Sequence, residues 1–310
     1  MHLFLSTHYP FMKWRKIGYA FSLITLAIAL LGLIVKGGPK WSVDFTGGTL
    51  VQIGVGAPTN VGALRSALEP IGFAGAEIQQ FGGTNDYLIR VDRSKFGDQT
   101  AIKVVEALRA GMAGTNVEVR RTEDVGPKVG SELKWGAAKA LALGLLAVLI
   151  YVGVRYEFRF AATGVLALFH DMVFVVGILT ILNREFSLNV VAALLTIAGY
   201  SINDTIIVFD RIRENMRTMR RENFSDVIDE SINNTLSRTV ITSGLTMMTV
   251  VALLIFGGEV IRDFAIALMI GIAVGTYSSI FVAGAVVLDW RTRALASAER
   301  KKTKPRPVAA

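Results

Sequence analysis

Long apolar runs, interrupted at few polar positions, dominate the pattern of this chain. Each run is long enough to cross the roughly 30 Å hydrocarbon core of a bilayer, since an α-helix rises about 1.5 Å per residue. The runs cover 17–35, 136–154, 161–182, 190–209, 239–256 and 264–288. The pattern therefore predicts a polytopic α-helical membrane protein with six transmembrane helices.

Basic residues concentrate in the segments on one side of these helices: the tail 1–16, the loop 210–238 and the tail 290–310. Because cytoplasmic segments carry the excess of lysine and arginine, we expect both termini in the cytoplasm. This asymmetry also accounts for the net charge of +8, so no nucleic-acid partner is needed to explain it. Contact of the last tail with anionic membrane lipids or with the ribosome is the alternative to a solvated tail that only sets topology.

The composition also favours a membrane protein and excludes some kinds of site. Hydrophobic residues make up 52% of the chain and charged residues 19%, which is unusually apolar for a soluble protein. There is no cysteine, which excludes disulfides and thiolate metal sites. We also expect no bound metal or other cofactor.

Residues 36–132, between the first two predicted helices, form the one stretch long enough for a folded domain outside the membrane. Its segments follow the order strand, helix, strand, strand, helix, strand, which predicts a small ferredoxin-like α+β domain on the periplasmic side. Asn60 and Asp98 are the predicted helix caps, and Gly82 to Asn85 predict a hairpin turn. The strands are predicted at 42–55, 76–81, 87–91 and 116–122. With no histidine in it, the domain reads as an interaction module rather than a catalytic one.

The glycine pair Gly47-Gly48 interrupts the first of these strands close to the membrane. Glycine adopts backbone angles that other residues resist. We predict a hinge here, through which helix movement tilts a domain that is joined to the helices at two points. The alternative is a tight turn that is needed only for folding.

Asp204 lies inside the apolar run 190–209. A charged side chain at the centre of a membrane helix costs roughly 2.5–3.5 kcal/mol on insertion scales, so it usually marks an ion or proton path. The alternative is a charge near the helix end that reaches water, since Asp210 and Arg211 lie two turns away. The short aspartate side chain argues against this alternative.

Arg238, at the start of the fifth helix, is the predicted partner of Asp204 in ion coupling. The two lie at similar depth, and separating them would favour protonation of the aspartate. The alternative is a static buried ion pair that fixes helix register. Candidate supporting residues are the polar groups at comparable depth: Tyr200, Asn203, Thr205, His170, Asp171 and Thr242.

Four motifs together resemble the SecF family, the smaller membrane subunits of the bacterial SecDF accessory complex of the Sec protein translocase. The resemblance covers essentially residues 10–290, and the last two motifs are highly specific. The motifs are Val43-Asp44-Phe45-Thr46-Gly47-Gly48-Thr49, Phe169-His170-Asp171, Ser201-Ile202-Asn203-Asp204-Thr205 leading into Phe209-Asp210-Arg211-Ile212-Arg213-Glu214, and Ser231-Ile232-Asn233-Asn234-Thr235-Leu236-Ser237-Arg238-Thr239.

This resemblance implies half of a resistance-nodulation-division (RND) type bundle, with SecD supplying the homologous half. It implies a location in the bacterial inner membrane and a non-enzymatic role driven by H⁺, or by Na⁺ as in some relatives. It also implies the SecYEG channel, YajC and the translocating preprotein as partners. The family's essential aspartate and arginine map onto Asp204 and Arg238. Half of an RND-type small-molecule exporter is the runner-up, and a purely structural scaffold is the third possibility.

Overall fold

The computed structural model describes residues 8–57, 59–81, 85–91, 96–112, 114–258 and 261–302. They fall into two compact units. The membrane unit comprises the described parts of Met1–Pro39, Ala140–Arg184 and Asn189–Ala310. The other unit comprises those of Lys40–Lys139 and Glu185–Leu188, and we call it the exported unit after its predicted location.

Helices make up most of the described chain. The α-helices are, in order, α1 Arg15–Val35, α2 Val43–Thr46, α3 Val61–Leu68, α4 Thr100–Gly111, α5 Pro127–Arg155, α6 Phe158–Ile181, α7 Leu188–Thr218, α8 Phe224–Phe256, α9 Arg262–Ser278 and α10 Ala285–Lys302. A π-helical turn, Ser279–Gly284, joins α9 to α10. The strands are β1 Lys40–Trp41, β2 Gly48–Val55, β3 Glu77–Gln80, β4 Asp86–Val91, β5 Val117–Val125 and β6 Glu185–Phe186.

The six predicted membrane helices are confirmed as α1, α5, α6, α7, α8 and the α9–α10 pair. Several extend beyond their apolar runs. α5 begins at Pro127, where proline is tolerated as the first helical residue. The predicted loop 210–238 is helical apart from 219–223. Arginine, glutamate and methionine favour helix, and the ion pair between Arg211 and Glu214 (2.7 Å) supports the extension of α7.

Small residues set the packing of the membrane unit. Ala29 of α1 lies against Gly177 of α6, where an added Cβ would come within 2.4 Å of the alanine Cβ. On α9, Gly271 leaves room for Ile197 of α7 in the same way. Close backbone approach of this kind is typical of helix contacts in membranes. α6, α7 and α9 form the buried centre, whereas α5 and α8 expose most of their apolar side chains.

The exported unit contains the predicted ferredoxin-like fold. Its four-stranded sheet has the order β3-β4-β2-β5 with every pair antiparallel. α3 and α4 cover the sheet with Leu64, Leu68, Val104 and Leu108, each with no exposed surface. These side chains recur at helical spacing, so one face of each helix is buried. The result is a small apolar core between the two helices and one face of the sheet.

Local predictions in this unit have mixed outcomes. Asn60 caps α3 by accepting the Ala63 N–H at 2.8 Å. The prediction that Asp98 caps the next helix is wrong, because α4 begins at Thr100 with Gln99 in the cap position. The predicted strand 42–55 is divided into β1, α2 and β2. The predicted hairpin turn lies largely outside the described residues, which resume at Asn85.

Candidate ion-coupling site

Asp204 faces the inside of the helical bundle. Buried side chains recur along α7 at helical spacing, at Ile197, Ser201, Asp204 and Val208, so the aspartate shares the inward face. Only 1% of Asp204 is exposed. Both carboxylate oxygens are buried and accept no hydrogen bond from any residue that the structure describes. A buried polar group without a partner costs free energy, and a buried unpaired charge costs far more.

A chain of hydroxyl groups runs past this carboxyl. Ser243 of α8 lies beside Asp204, yet its hydrogen bonds go elsewhere. Tyr200 donates to the Ser243 oxygen at 3.0 Å, and the Ser243 and Thr276 oxygens are 2.8 Å apart. Thr276 donates to the Ile272 carbonyl at 2.8 Å. Because each hydroxyl has one proton, Ser243 must donate to Thr276, and it can serve Asp204 only by releasing that bond.

Asp171, in contrast, has partners on both of its carboxylate oxygens. It has no exposed surface. One carboxylate oxygen accepts hydrogen bonds from Ser201 of α7 at 2.8 Å and from Ser278 of α9 at 2.7 Å. The other lies 3.0 Å from Nδ1 of His170. Asp171 therefore fixes three helices to one another at their buried centre.

His170 has one ring nitrogen in use and one free. Since the Asp171 carboxylate is an acceptor, Nδ1 carries the proton that it shares with it. Nε2 is buried and has no hydrogen-bond partner among the described residues. It is thus an unused acceptor in the neutral ring and an unused donor in the protonated ring.

The remaining predicted residues lie around this site without joining it. Arg238 is exposed and makes no ion pair with Asp204, or with any other described carboxylate. Thr242 donates back to the Arg238 carbonyl at 2.9 Å, and buried Thr205 donates to the Ser201 carbonyl at 3.0 Å. Asn203 is exposed. The structure therefore contains Asp204 and Arg238 in a separated state, and their pairing stays a prediction.

Ser201, Ser243 and Ser278 were not among the predicted site residues. Serine in an apolar helix commonly bonds its own backbone, so its presence alone is a weak signal. The sequence offered one signal, because Ser201 stands one turn before Asp204. Ser278 is marked only in the structure, where it stands directly before the π-helical turn, a feature that is frequent at functional sites.

The glycine pair lies where α2 ends and β2 begins. Gly47 and Gly48 have φ angles of 72° and 123°, which favour glycine. A Cβ on Gly48 would lie 3.0 Å from the Val91 carbonyl oxygen, and a Cβ on Gly130 would lie 2.9 Å from the Gly47 nitrogen. These contacts give both glycines a folding role, and the predicted hinge role stays a prediction.

The segment just before the glycine pair also contacts a second chain segment of the exported unit. β6, which follows α6 in the chain, pairs in parallel with β1. The Ser42 N–H donates to the Phe186 carbonyl at 3.0 Å, and Asp44 accepts the N–H of Leu188, the first residue of α7, at 2.9 Å. A carboxylate at a helix N-terminus is stabilising. The chain therefore crosses between the two units four times, after Pro39, Lys139, Arg184 and Leu188, and not at the two points predicted.

Four charged residues surround this segment. Lys40 is 2.7 Å from Glu77, and Arg90 is 2.7 Å from Glu185. Burial disfavours ionisation of Glu77, but Lys40 and Arg90 outweigh it and hold the pKa of its carboxyl below its ordinary value. Burial of Glu185 outweighs the same two cations and raises the pKa of its carboxyl. The ionised form of Glu77 therefore stabilises the fold, whereas ionised Glu185 weakens it.

At pH 7, we expect Glu77→Gln to destabilise the exported unit by roughly 0.5–1 kcal/mol, as for a partly exposed ion pair. Glu185→Gln should leave stability unchanged or raise it. The sign follows from linkage: the contribution of Glu77 is lost as pH falls, and the cost of Glu185 appears as pH rises. Hydrogen exchange at the β2 amides of the full chain in detergent measures both. Equal loss of protection in the two variants would contradict this assignment.

Among the described residues, no group of three or more histidine, cysteine, aspartate or glutamate side chains is arranged to hold a metal ion. The chemistry of the site is therefore that of one unpartnered carboxyl, one fully bonded carboxylate and a chain of hydroxyls.

Comparison with known proteins assigns this architecture to a family. The chain matches the family described as "Protein export membrane protein SecD/SecF, C-terminal" over residues 104–293 and the "SecD/SecF GG Motif" over residues 32–59. It is 45% identical over 282 residues to a protein translocase subunit SecF of Vibrio alginolyticus, covering 90% of this chain and 88% of that protein. The chain belongs to the SecF family.

Other SecF proteins and solved SecDF structures agree. A SecF of Escherichia coli O157:H7 is 40% identical, with 90% of this chain and 87% of that protein covered. The crystal structure of SecDF from Thermus thermophilus, described as a translocon-associated membrane protein, matches with a TM-score of 0.84 and 39% identity over 93% of this chain. A SecDF structure in a super-membrane-facing form matches with a TM-score of 0.71. The chain spans 39% of the first SecDF chain and 40% of the second.

Proposed function

We propose that this SecF family member is the ion-driven subunit of a protein translocase. It couples the proton-motive force to late movement and release of preproteins across the bacterial inner membrane, in a complex with SecD. The observation that carries the proposal is the Asp204 carboxyl, which is buried in a membrane helix and has no hydrogen-bond partner among the described residues. Such a group is costly and has no evident packing role, so a transport role explains its presence best.

The proposed cycle has two states. With Arg238 exposed and Asp204 unpartnered, the neutral, protonated acid is the form that suits the buried site. When the Arg238 side chain reaches inward, its charge stabilises the carboxylate and the proton leaves. Ser243 supports this change, because its hydroxyl can turn from Thr276 to the newly formed carboxylate. Asp171 keeps α6, α7 and α9 in register throughout.

The other parts of the proposal concern assembly. Six helices form half of an RND-type bundle, and the largely exposed apolar surfaces of α5 and α8 leave room for the SecD half and lipid. The basic segments support the proposal that both termini lie in the cytoplasm. SecYEG, YajC and the preprotein are the remaining proposed partners, reached from the exported unit or the membrane unit.

A test of this function uses inverted membrane vesicles that contain the complex with SecD. We expect preprotein translocation to be stimulated by an imposed proton gradient and to lose that stimulation with a protonophore. Replacing Na⁺ with K⁺ separates the two coupling ions, since a sodium-driven subunit would stop in K⁺ and ignore the protonophore. Stimulation that survives both treatments would favour a structural scaffold instead.

Arg238 provides a graded test of the two-state cycle. Arg238→Met removes the charge and should abolish stimulation. Arg238→Lys keeps the charge but loses the planar, five-donor group, so partial activity with a shifted pH optimum is expected. Arg217→Met is a matched control on the exposed end of α7. Wild-type activity and pH profile in Arg238→Met would refute a coupling role for this arginine.

A further inference from the structure

Four arginine side chains from different segments line two adjoining cavities at one end of the membrane unit. The cavities have volumes of about 200 and 290 Å³, and both are lined by Glu157, Phe160 and Met216. The arginines are Arg159 and Arg291 in the first cavity, and Arg155 and Arg213 in the second.

None of these arginines forms an ion pair with a carboxylate of the described chain. The Arg291 guanidinium lies 4.1 Å from the centre of the Phe224 ring. Arg213 donates to the Arg155 carbonyl at 3.4 Å, and Arg155 itself lies over Tyr156. Within the part of the chain that the structure describes, the Arg159 side chain makes no contact of this kind. Among the described residues, Glu157 is the only carboxylate that lines the two cavities, and it is exposed. The lining therefore carries a clear excess of positive charge.

These cavities lie at the level of the membrane surface. α5 ends at Arg155 and α6 begins at Phe158, so only two residues connect two membrane spans. The side chains of Val154 and Phe158 beside the cavities are 85% and 67% exposed. The first turn of α6 adds a helix N-terminus, and Glu157 in the cap position makes no side-chain capping bond. Positive groups and exposed apolar groups thus stand next to each other at the level of the lipid headgroups.

We propose that this arginine-lined site binds the headgroup of an anionic phospholipid, such as phosphatidylglycerol, from the leaflet on the side of the chain termini. Guanidinium groups bind phosphate through paired N–H donors. The acyl chains cover Val154 and Phe158, whereas a free phosphate or nucleotide would leave them exposed. Basic pockets between membrane helices are suited to such headgroups.

Arginines that only set the membrane topology would not need to line a common cavity. A topological role requires positive charge near the ends of the helices and no shared cavity. Here residues distant in the sequence, from Arg155 to Arg291, line one pair of cavities with a common apolar floor of Phe160 and Met216. The convergence is the feature that a ligand explains.

Native mass spectrometry of the full chain in detergent tests the proposal with three probes: phosphatidylglycerol, phosphatidylcholine and inorganic phosphate. We expect phosphatidylglycerol to be retained. Arg159→Gln with Arg213→Gln should lower its apparent affinity roughly tenfold or more, since each basic residue near the surface contributes to anionic lipid binding. The matched control Arg220→Gln with Arg221→Gln, in the exposed 219–223 connection, should bind like wild type.

Arg159→Gln alone guards against misfolding, because this side chain has no hydrogen-bond or ion-pair partner among the described residues. It should weaken phosphatidylglycerol binding at an unchanged melting temperature. Equal binding of phosphatidylcholine, or retention of phosphatidylglycerol by the double variant at wild-type affinity, would overturn the proposal. Displacement of the lipid by millimolar inorganic phosphate would show a site for free anions instead.

Discussion

Replacing Asp204 with asparagine should abolish gradient-dependent stimulation of preprotein export while the protein still inserts and assembles. Asparagine keeps the size of the side chain and its capacity for hydrogen bonding but cannot release a proton. Because the wild-type carboxyl is buried without a partner, the substitution removes no described hydrogen bond. Stability should therefore be unchanged or higher. We expect translocation in inverted vesicles to fall to the level seen with a protonophore.

A matched control separates titration from other effects of lost charge. Asp226 lies in the exposed first turn of α8, so Asp226→Asn removes a carboxylate outside the bundle. It should leave stimulation within error of wild type. Full stimulation in Asp204→Asn, at normal complex yield, would refute the role of Asp204 as the proton carrier.

Asp171→Ala should destabilise the membrane unit more than any other substitution that we propose there. It leaves two buried serine hydroxyls and the His170 ring without their acceptor. Unsatisfied buried donors cost about 1–3 kcal/mol each, and Ser278 retains a second acceptor in the Gly275 carbonyl. We therefore expect a loss of roughly 3 kcal/mol, measured as a lower unfolding midpoint of the full chain in detergent.

The variants Ser201→Ala and Ser278→Ala allow the stability loss of Asp171→Ala to be compared with the loss of a single hydrogen bond. Each removes one donor and leaves Asp171 with its other partners, so each should cost about 1 kcal/mol. A Ser201→Ala plus Asp171→Ala double variant should lose less than the sum, because the two residues contact each other. An Asp171→Ala protein as stable as wild type would show that the cluster does not hold α6, α7 and α9 together.

The two aspartates thus have opposite expected phenotypes. Asp204 variants should fold stably but lose gradient-dependent stimulation. Asp171 variants should lose folding stability, and any loss of their activity should follow from that instability. A sequence pattern does not separate these cases, since both residues are acids within apolar runs. Their different hydrogen-bond partners depend on how α6, α7, α8 and α9 pack, because this packing brings together residues as distant in the sequence as Asp171 and Ser278.

The parts of the fold that follow from periodicity were predictable. Apolar runs gave six membrane helices, and the order of segments in 36–132 gave the ferredoxin-like sheet. Helix ends were less predictable, because α7 and α8 continue through charged residues that favour helix as strongly as apolar ones. The pairing of β1 with β6 was missed, since two-residue strands carry no periodic signal.

Within the candidate site, the sequence identified acids and bases but not their partners. Asp204 stands out because its cost in a membrane is large. Ser243 does not stand out, because a hydroxyl costs little and commonly bonds its own helix. Its place beside Asp204 depends on how α8 packs against α7, which the sequence pattern does not determine.

Proton movement through the assembled complex tests the central claim most directly. Complexes with SecD are reconstituted into liposomes that enclose a pH-sensitive dye, and a potassium diffusion potential is imposed with valinomycin. Wild-type complexes should acidify or alkalinise the lumen in the direction set by the potential, and Asp204→Asn complexes should match empty liposomes. The Asp226→Asn control should behave like wild type. Proton flux in Asp204→Asn equal to that of wild type would contradict the account.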